Sequence, residues 1–509
     1  MARRPLARLA AALPVATLAL LACVGDDPAT TSPGGDASSP GTDGSASEAS
    51  ASDGAPCATT CDGRCTDTQT DPDNCGACKN SCDRPSGKFS CVAGKCGFAI
   101  AHVYGGTYNG CVLLRDGTVW CWGARDAGTT GEPPNPTPSP TPRKIPNLTD
   151  VVDVTIGNEH ACALKSDGSV WCWGHNGALQ TGSASDGTSC TGTNDAFCYL
   201  PRAVPLPAEV KMAQISAGSR VTCGRTVGAQ GGDVYCWGQN AMKLIDGTVD
   251  KVDDFRGPTR VAPDVFAGNV THIAVAFHDG SPVFRQHACA RKSDGTVWCW
   301  GANNRGQLGH VGGSDAPCAA NAAGSTTVAC NATPTKVSVA DVETVHALVD
   351  ASCVRKADKT VWCWGSRFYG QSGVTTGEGE VPQQVAGLDT TERLDARGVA
   401  AFATDSAGNV KAWGEAGYCS VAATSTTVCG DSTCFQTPTP VAAASGSDEI
   451  ALGLLTGFLR RGSDVLGWGR NSATVLGHPQ NTNGDIPCPY SASGGDVCNP
   501  TPVKVTDLP

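Results

Sequence analysis

The sequence predicts an all-β protein: a β-propeller of seven four-stranded blades, preceded by a small disulfide-rich module and a disordered tether. Three observations support this class. One unit recurs seven times, each unit contains an aromatic hairpin, and two further strand signals accompany most hairpins. The best-preserved unit reads Cys289-Ala-Arg-Lys-Ser-Asp-Gly-Thr-Val-Trp-Cys-Trp-Gly301.

A Trp-Gly pair marks each unit. Successive tryptophans of these pairs lie 51, 64, 63, 64, 49 and 55 residues apart. They are Trp122, Trp173, Trp237, Trp300, Trp364, Trp413 and Trp468. A period of this length, sustained over most of a chain, is typical of a repeat architecture.

Within a unit, the Val-Trp-Cys-Trp segment is β-branched and aromatic and therefore predicts a strand. The segment Cys162-Ala-Leu-Lys165 predicts its antiparallel mate. If Cys162 opposes Cys172, a three-residue loop remains, and Gly168 takes its third place, where positive φ is required. The same register puts Gly117, Gly295 and, in the fifth unit, the less suitable Lys359 at that place.

This register places the two cysteines of a unit directly opposite each other, close enough to bond. Five units carry both cysteines and two carry neither, with Phe402 and Ala412 in the sixth unit and Gly457 and Gly467 in the seventh. Small buried hydrophobes would not be lost in pairs, so disulfides are favoured, each worth about 2–3 kcal/mol. The expected bridges are Cys111–Cys121, Cys162–Cys172, Cys223–Cys236, Cys289–Cys299 and Cys353–Cys363.

The insertions that follow Trp-Gly carry further cysteines. Three of them contain a pair, which predicts Cys190–Cys198, Cys318–Cys330 and Cys488–Cys498. The sixth unit contains three cysteines, and Cys434 precedes Pro438 much as Cys330 precedes Pro334. We expect Cys429–Cys434, which leaves Cys419 free or in an intermolecular bond. Pairing of Cys419 with Cys434 is the alternative.

Two more strand signals lie between hairpins. One is exemplified by Val151-Val-Asp-Val-Thr-Ile-Gly157, and the other is a short strand introduced by proline, as in Pro334-Thr-Lys-Val337. No proline strand precedes the first unit, and no unit follows the last proline strand, Pro502-Val-Lys-Val505. We therefore expect this C-terminal strand to complete the first blade and close the ring without an exposed edge.

These residues resemble the regulator of chromosome condensation repeat family, whose mark is Trp-Gly-x-Asn-x-x-Gly-Gln-Leu-Gly. The fourth unit matches it from Trp300 through Asn303, Gly306, Gln307 and Leu308 to Gly309. The second unit keeps Asn176 and Gly182, and the seventh keeps Asn471, Leu476 and Gly477. The resemblance covers residues 98–509 and implies a seven-bladed β-propeller.

The N-terminal residues 1–22 contain Arg3, Arg4 and Arg8 before a Leu/Ala-rich run, which is typical of a signal peptide. The run ends Leu20-Leu21-Ala22-Cys23, which resembles the bacterial lipobox and predicts lipidation of Cys23. An ordinary cleavage site is the alternative. Residues 23–56 are Ser, Gly, Ala, Thr and Asp with almost nothing apolar, which predicts a flexible acidic tether. We therefore expect export and a lipid anchor at the bacterial outer membrane or cell surface.

Residues 57–97 hold eight of the 28 cysteines. About 40 residues cannot build a sufficient core alone, so four disulfides are the natural interpretation. Zinc binding at Cys75 and Cys78 is disfavoured because the module contains no histidine. A thioredoxin-like role of Cys75-Gly-Ala-Cys78 would need a βαβ setting, which the pattern does not predict. The domain boundaries are therefore 22/23, 56/57 and 97/98.

Composition excludes several functions. The formal net charge is −11, and removal of residues 1–22 takes away only arginines, so nucleic acid is a poor partner. The family's founder exchanges guanine nucleotide on a small GTPase and binds chromatin through a basic arm, but here the arm is acidic and export is predicted. No catalytic motif is present, and we expect no enzyme activity, no cofactor and no metal. His160 and His287 precede hairpin cysteines by two residues and are interpreted as structural.

Binding is the remaining function. The long insertions collect on one face of a repeat architecture and carry aromatic side chains that are candidate contacts. These are Phe197, Tyr199, Phe368, Tyr369, Tyr418, Phe435 and Tyr490. The alternative is that several merely pack their own loops. We expect a monomeric, surface-anchored propeller that binds an envelope or extracellular protein; the alternative is a carbohydrate-binding or carbohydrate-acting propeller, which paired carboxylates in the channel would favour.

Overall fold

The structure is a computed structural model. It describes residues 100–183, 190–191, 196–229, 231–247, 254–277, 285–312, 315–319, 326–375, 379–429, 432–489 and 495–509, together with four short earlier strands. Those strands form two antiparallel pairs, Thr60–Cys61 with Arg64–Cys65 and Ser90–Val92 with Lys95–Gly97. The chain divides into two units, residues 1–56 and 57–509. The expectations for Cys23, the tether and the cysteine bonds of residues 57–97 lie outside the described residues.

From Ile100 onward the chain folds into seven antiparallel sheets, three with four strands and four with five, which confirms the seven-bladed propeller. The first, innermost strands of the seven blades are Ile100–Gly105, Val151–Ile156, Met212–Ala217, Val270–Val275, Val342–Leu348, Thr391–Arg397 and Glu449–Leu452. The second strands are Asn109–Leu114, His160–Lys165, Val221–Thr226, His287–Lys292, Ala351–Lys356, Ala400–Asp405 and Thr456–Arg461.

The third strands carry the Trp-Gly pairs. They are Val119–Gly123, Val170–His175, Val234–Gln239, Val297–Ala302, Val361–Gly365, Val410–Glu415 and Asp464–Arg470. The fourth strands are Ser139–Lys144, Phe197–Ala203, Phe255–Val261, Thr327–Lys336, Gln383–Gln384, Ser432–Pro440 and Val497–Lys504. A fifth, outermost strand is added in blades 2, 4, 6 and 7 by Cys190–Thr191, Ala316–Ala319, Val428–Cys429 and Ile486–Pro487.

Helices are short and lie between strands. One α-helical turn spans Pro263–Phe266, and 3₁₀ turns span Ala241–Lys243, Ala442–Ala444 and Ser472–Thr474. Within the described part of the chain, no helix is long and apolar enough to cross a membrane.

The hairpin between the second and third strands has the predicted register, with Cys162 opposite Cys172 and Leu164 opposite Val170. The turn residues have the predicted positive φ, 80° at Gly168 and 77° at Gly117 and Gly295. Lys359 takes the same conformation at φ 69°, although a side chain is strained there.

Nine disulfides lie among the described side chains. Five join the opposed cysteines of hairpins, with Cα atoms 4.0–4.1 Å apart: Cys111–Cys121, Cys162–Cys172, Cys223–Cys236, Cys289–Cys299 and Cys353–Cys363. Four join the insertion cysteines: Cys190–Cys198, Cys318–Cys330, Cys429–Cys434 and Cys488–Cys498. Cys419 is unbonded and buried, and that burial leaves no room for an intermolecular bond.

The seventh hairpin departs from the expected register. Phe458, not Gly457, opposes Gly467, because this hairpin is one residue shorter and Arg461 pairs directly with Asp464. In the sixth blade Phe402 opposes Ala412. Both blades that lack the hairpin disulfide therefore put a buried phenyl ring opposite a small residue in the place of the bonded sulfurs.

The tryptophan of every Trp-Gly pair is fully buried between two blades. Each indole N–H donates a hydrogen bond of 2.8–3.1 Å to a carbonyl in the loop of the preceding blade. The glycine that follows bends the strand: its φ is 108° at Gly123, where an added Cβ would lie 2.2 Å from the Tyr108 carbonyl oxygen. The repeated dipeptide thus joins adjacent blades, and the hydrophobic core lies between them.

The ring closes differently from expectation. The C-terminal strand Val497–Lys504 pairs with the third strand of the seventh blade, where Lys504 opposes Leu466, and not with the first blade. The first blade takes its fourth strand, Ser139–Lys144, from the segment that follows its own hairpin. Each blade is therefore one continuous segment, and in the described part of the chain packing and side-chain-to-backbone contacts, not strand pairing, join blade 7 to blade 1. Among them, Trp122 Nε1 donates to the Val475 carbonyl at 2.8 Å, and its ring meets Phe458 edge-on.

Candidate functional site

The two ends of the propeller differ. Because strands alternate in direction, the turns between first and second strands and the insertions after the third strands share one end, which we term the loop face. The Asp-Gly hairpin turns lie at the opposite end, the turn face. The six candidate aromatic residues that the structure describes follow third strands and so belong to blade segments that form or adjoin the loop face.

Phe368 is the large aromatic side chain most open to solvent among the described residues, at 43% exposure. The Tyr369 ring stands edge-on to it at 4.9 Å, and the Arg305 guanidinium of the neighbouring blade lies 6.0 Å from its centroid. Tyr369 in turn packs against Phe277 and Leu454 near the propeller axis. Blade 5 therefore presents an aromatic pair in which Tyr369 packs against the buried cluster and Phe368 is exposed to solvent.

The other candidates are half-buried or lie outside the described residues. Phe197 packs edge-on against His175 at 5.2 Å, and Tyr199 lies over Gly128 of the first blade. Phe435 packs against the core between blades 6 and 7. Phe197 thus packs within its own blade, whereas Tyr199 and Phe435 pack at junctions with neighbouring blades. Tyr490 lies outside the described residues.

Tyr418 belongs to a second cluster that sequence reasoning missed. The Arg470 guanidinium lies 5.7 Å from the Tyr418 ring and 5.8 Å from the Tyr108 ring. Asp496 holds that guanidinium at 2.9 Å. Tyr108 and Arg470 are 362 positions apart in the chain, so only ring closure brings them together, and no local pattern could have identified them.

Polar side chains of the innermost strands lie around the propeller axis and bond across six of the seven junctions between neighbouring blades. Five of these junctions use a bond between a side chain and the adjacent backbone, and one uses two side chains. The bonds are Tyr104 Oη to Asp153, Ala217 N to Thr155, Ile273 N to Gln214, Val345 N to His272, Arg393 to the Asp448 carbonyl, and Val103 N to Glu449. These polar groups therefore stabilise the contacts between neighbouring blades.

Arg397 closes the channel at the loop face. Its guanidinium, from blade 6, donates to the carbonyls of Gly105, Ile156 and Ala217 in blades 1, 2 and 3. It also lies 4.8 Å from the centroid of Phe277 in blade 4. Burial lowers the pKa of this arginine to about 10, so it stays charged at neutral pH. Arg397 therefore links blades 1, 2, 3, 4 and 6 at the loop-face end of the first strands.

Burial shifts the protonation of several channel groups. Loss of hydration raises the pKa of Asp153 and of Asp395 to about 6, against hydrogen bonds from Tyr104 and Arg393. Burial also lowers the pKa of His272 to about 4 and of His346 to about 3. The two carboxylates are half-protonated only in mildly acidic solution, while both histidines remain neutral.

His160 and His287 are structural, as their position in the repeat suggested. Both are fully buried. His160 Nε2 bonds Thr222 at 2.8 Å, and His287 Nε2 bonds Ser352 at 2.9 Å, each in the following blade. In the described part of the chain no group of three or more His, Cys, Asp or Glu side chains could hold a metal ion.

Comparison with known proteins identifies the repeat. Residues 116–164, 167–224, 151–180 and 285–307 match the regulator of chromosome condensation (RCC1) repeat. Over 136 residues the chain is 31% identical to Protein pim1 of Schizosaccharomyces pombe, and this covers 24% of each chain. It is 27% identical over 213 residues to human probable E3 ubiquitin-protein ligase HERC3, which covers 41% of this chain and 18% of that protein. The matched region thus spans about a quarter or less of these relatives.

Solved structures show the same fold. Yeast RCC1 (Prp20) bound to Kap60 superposes with a TM-score of 0.58 over 80% of this chain and 85% of that one, at 17% identity. Human WBSCR16 gives 0.56 over 77% and 94%, also at 17% identity. Segments of the chain between residues 116 and 307 thus match the regulator of chromosome condensation repeat, and the propeller shares the fold of these solved structures.

Proposed function

We propose that this chain is a non-enzymatic binding or scaffold protein that uses the loop face of its propeller to bind a protein partner while anchored to a bacterial envelope through Cys23. One observation carries the proposal: the exposed Phe368 beside Arg305 on an insertion-rich face. Exposed aromatic and arginine side chains are the residues that most often dominate protein interfaces.

Relatives support a binding role. One yeast structure contains RCC1 (Prp20) bound to Kap60, and Prp20p has been described as binding Gsp1p and histones. We propose that the present chain likewise binds a protein but does not exchange guanine nucleotide. The nine disulfides among the described residues support an oxidising compartment for that partner.

A capture experiment tests the proposal. The purified chain serves as bait in envelope extract, beside a Phe368→Asp variant of the loop face and a Val227→Asp variant of the turn face, where Val227 is 64% exposed. We expect one protein to be retained by the native chain and by Val227→Asp but lost with Phe368→Asp. Equal retention by all three baits would refute binding at the loop face.

Anchoring is tested separately. If Cys23 carries the lipid, Cys23→Ser releases the chain from the membrane fraction, because one residue then removes the only anchor proposed. Full retention of Cys23→Ser in membranes would contradict the anchor and leave the binding proposal intact.

The carbohydrate alternative has one observation in its favour. Asp153 and Asp395 both belong to channel strands, and burial holds the pKa of each at about 6, where a carboxyl group can act as an acid. Glycan-array binding that is lost in Asp395→Asn and unaffected by Phe368→Asp would favour this alternative over a protein partner.

A further inference from the structure

A groove crosses the loop face between blades 4, 5 and 6. Its volume is about 520 Å³, and its walls include Asn304, Arg305, Phe368, Glu380, Val428 and Gln436. The groove exists because blade 5 differs from its neighbours on either side. Blades 4 and 6 carry a fifth strand, whereas the fourth strand of blade 5 is only Gln383–Gln384.

The groove presents apolar surface on both sides. Phe368 is 43% exposed on one wall, and Val428 is 60% exposed on the other. Val428 is held in place because it begins the short strand that the Cys429–Cys434 disulfide joins to its neighbour. Because these two apolar side chains are already held in place, a partner can bury their surface with little loss of conformational entropy.

The groove also presents a cation. The Arg305 guanidinium lies over the Phe368 ring, and among the residues that the structure describes no carboxylate pairs with it. Glu380 also lines the groove and lies close to Gly306, where an added Cβ would be 2.4 Å from the Glu380 Cα. An arginine stacked on an aromatic ring keeps its outer N–H groups free for a carboxylate.

We infer that this groove docks an acidic segment of the protein partner, in which a carboxylate bonds Arg305 while an adjacent aromatic or aliphatic side chain covers Phe368 and Val428. The inference rests on the proposed loop-face function and names the chemistry of its partner. The chain itself has a net charge of −11, and an exposed arginine that forms no ion pair with a described carboxylate is the feature of this groove that attracts an acidic segment.

Synthetic copolymers test this chemistry without knowledge of the partner. The immobilised full chain is exposed to a random Glu/Tyr copolymer, to poly-Glu and to a Lys/Tyr copolymer of matched length, and affinity is measured by biolayer interferometry. We expect the Glu/Tyr copolymer to bind at least about tenfold more tightly than either of the others, because only it supplies both the carboxylate and the ring.

Variants with opposite expected signs separate charge recognition from folding. Arg305→Gln should weaken Glu/Tyr binding about tenfold, and Glu380→Gln should strengthen it, because a nearby like charge is removed. Phe368→Ala should abolish the preference for Glu/Tyr over poly-Glu. Val227→Ala on the turn face is the matched control and should change nothing.

The outcomes are decisive. The reversed pattern, in which Arg305→Gln strengthens binding and Glu380→Gln weakens it, would show a basic partner and overturn the inference, as would equal binding by all variants. Thermal unfolding of each variant confirms that it is folded. If the copolymers fail while the native chain still captures an envelope protein through Phe368, the loop-face function stands and only the acidic chemistry is wrong.

Discussion

Lowering the pH from 7 to 4.5 should destabilise the propeller, because four histidines are buried in the neutral form. Burial lowers the pKa of His160, His287 and His346 to about 3 and that of His272 to about 4. In the unfolded chain these groups take up protons near 6.5, so the unfolded state binds more protons. Their contribution to stability is therefore present above pH 6.5 and lost progressively as the pH falls towards the folded pKa values.

Two buried carboxylates act in the opposite direction. Burial raises the pKa of Asp153 and Asp395 to about 6, so the folded state binds their protons first, and stability rises as the pH falls through 6. Between pH 7 and 4.5 the four histidines lower the free energy of unfolding by on the order of 10 kcal/mol, at about 1.4 kcal/mol per pKa unit. Over the same range the two aspartates raise it by about 4 kcal/mol. The expected net loss of about 6 kcal/mol is comparable with the whole stability of a typical domain.

The variant His287→Asn isolates one of these groups. Asn109 occupies the equivalent position in the first blade and bonds the carbonyls of Trp122 and Ala124, so this asparagine is compatible with the repeat. Urea unfolding followed by tryptophan fluorescence at several pH values should show a loss of stability between pH 7 and 4.5 that is smaller by about 3 kcal/mol than in the native chain.

A control and a refuting result complete the test. His102 serves as the control, because its hydrogen bond with Glu449 raises its pKa and protonation therefore favours the folded chain. His102→Asn removes this contribution, so the loss of stability on acidification should become steeper. The comparison uses the change with pH, so a variant that is less stable overall remains informative. Identical pH dependence in His287→Asn and the native chain would refute the assignment of acid sensitivity to the buried histidines.

Three further predictions concern the hairpins and the free thiol. Lys359→Gly should raise the free energy of unfolding by about 1 kcal/mol, because glycine removes the cost of positive φ, and Gly295→Lys should lower it; urea unfolding checks both. Joint replacement of Cys353 and Cys363 by alanine should cost about 3 kcal/mol, measured in the same way. Non-reducing peptide mapping should find Cys419 unalkylated in the folded protein and alkylated after unfolding; modification in the folded state would contradict its burial.

The sequence alone determined the features that depend on neighbours along the chain. The hairpin register of Cys162 and Cys172 follows from a short loop and strand alternation, which involve about ten residues. Because the unit recurs, the same local argument applies along the chain and gives the number of blades. Comparison of the repeated units also indicated the disulfide pairing, because two units lack both cysteines and five units have both.

Local inference failed where small differences between units mattered. The seventh hairpin is one residue shorter, so Phe458 rather than Gly457 stands in the place of the first cysteine. The proline strand lies between two hairpins in the chain and can pair with either, and only the sheet shows that it joins the preceding one. Nothing in its composition distinguishes the two choices, because edge strands tolerate proline in either position.

The site itself was decided by tertiary structure. The sequence identified aromatic insertions but not which rings are exposed, because exposure depends on the neighbouring blade: Phe435 packs inward and Phe368 does not. The groove depends on the blade 5 sheet having four described strands where the blade 6 sheet has five. Arg397 bonds carbonyls 180 to 292 positions away in the chain. Such contacts form only when the ring closes, because closure brings strands of all seven blades around one axis.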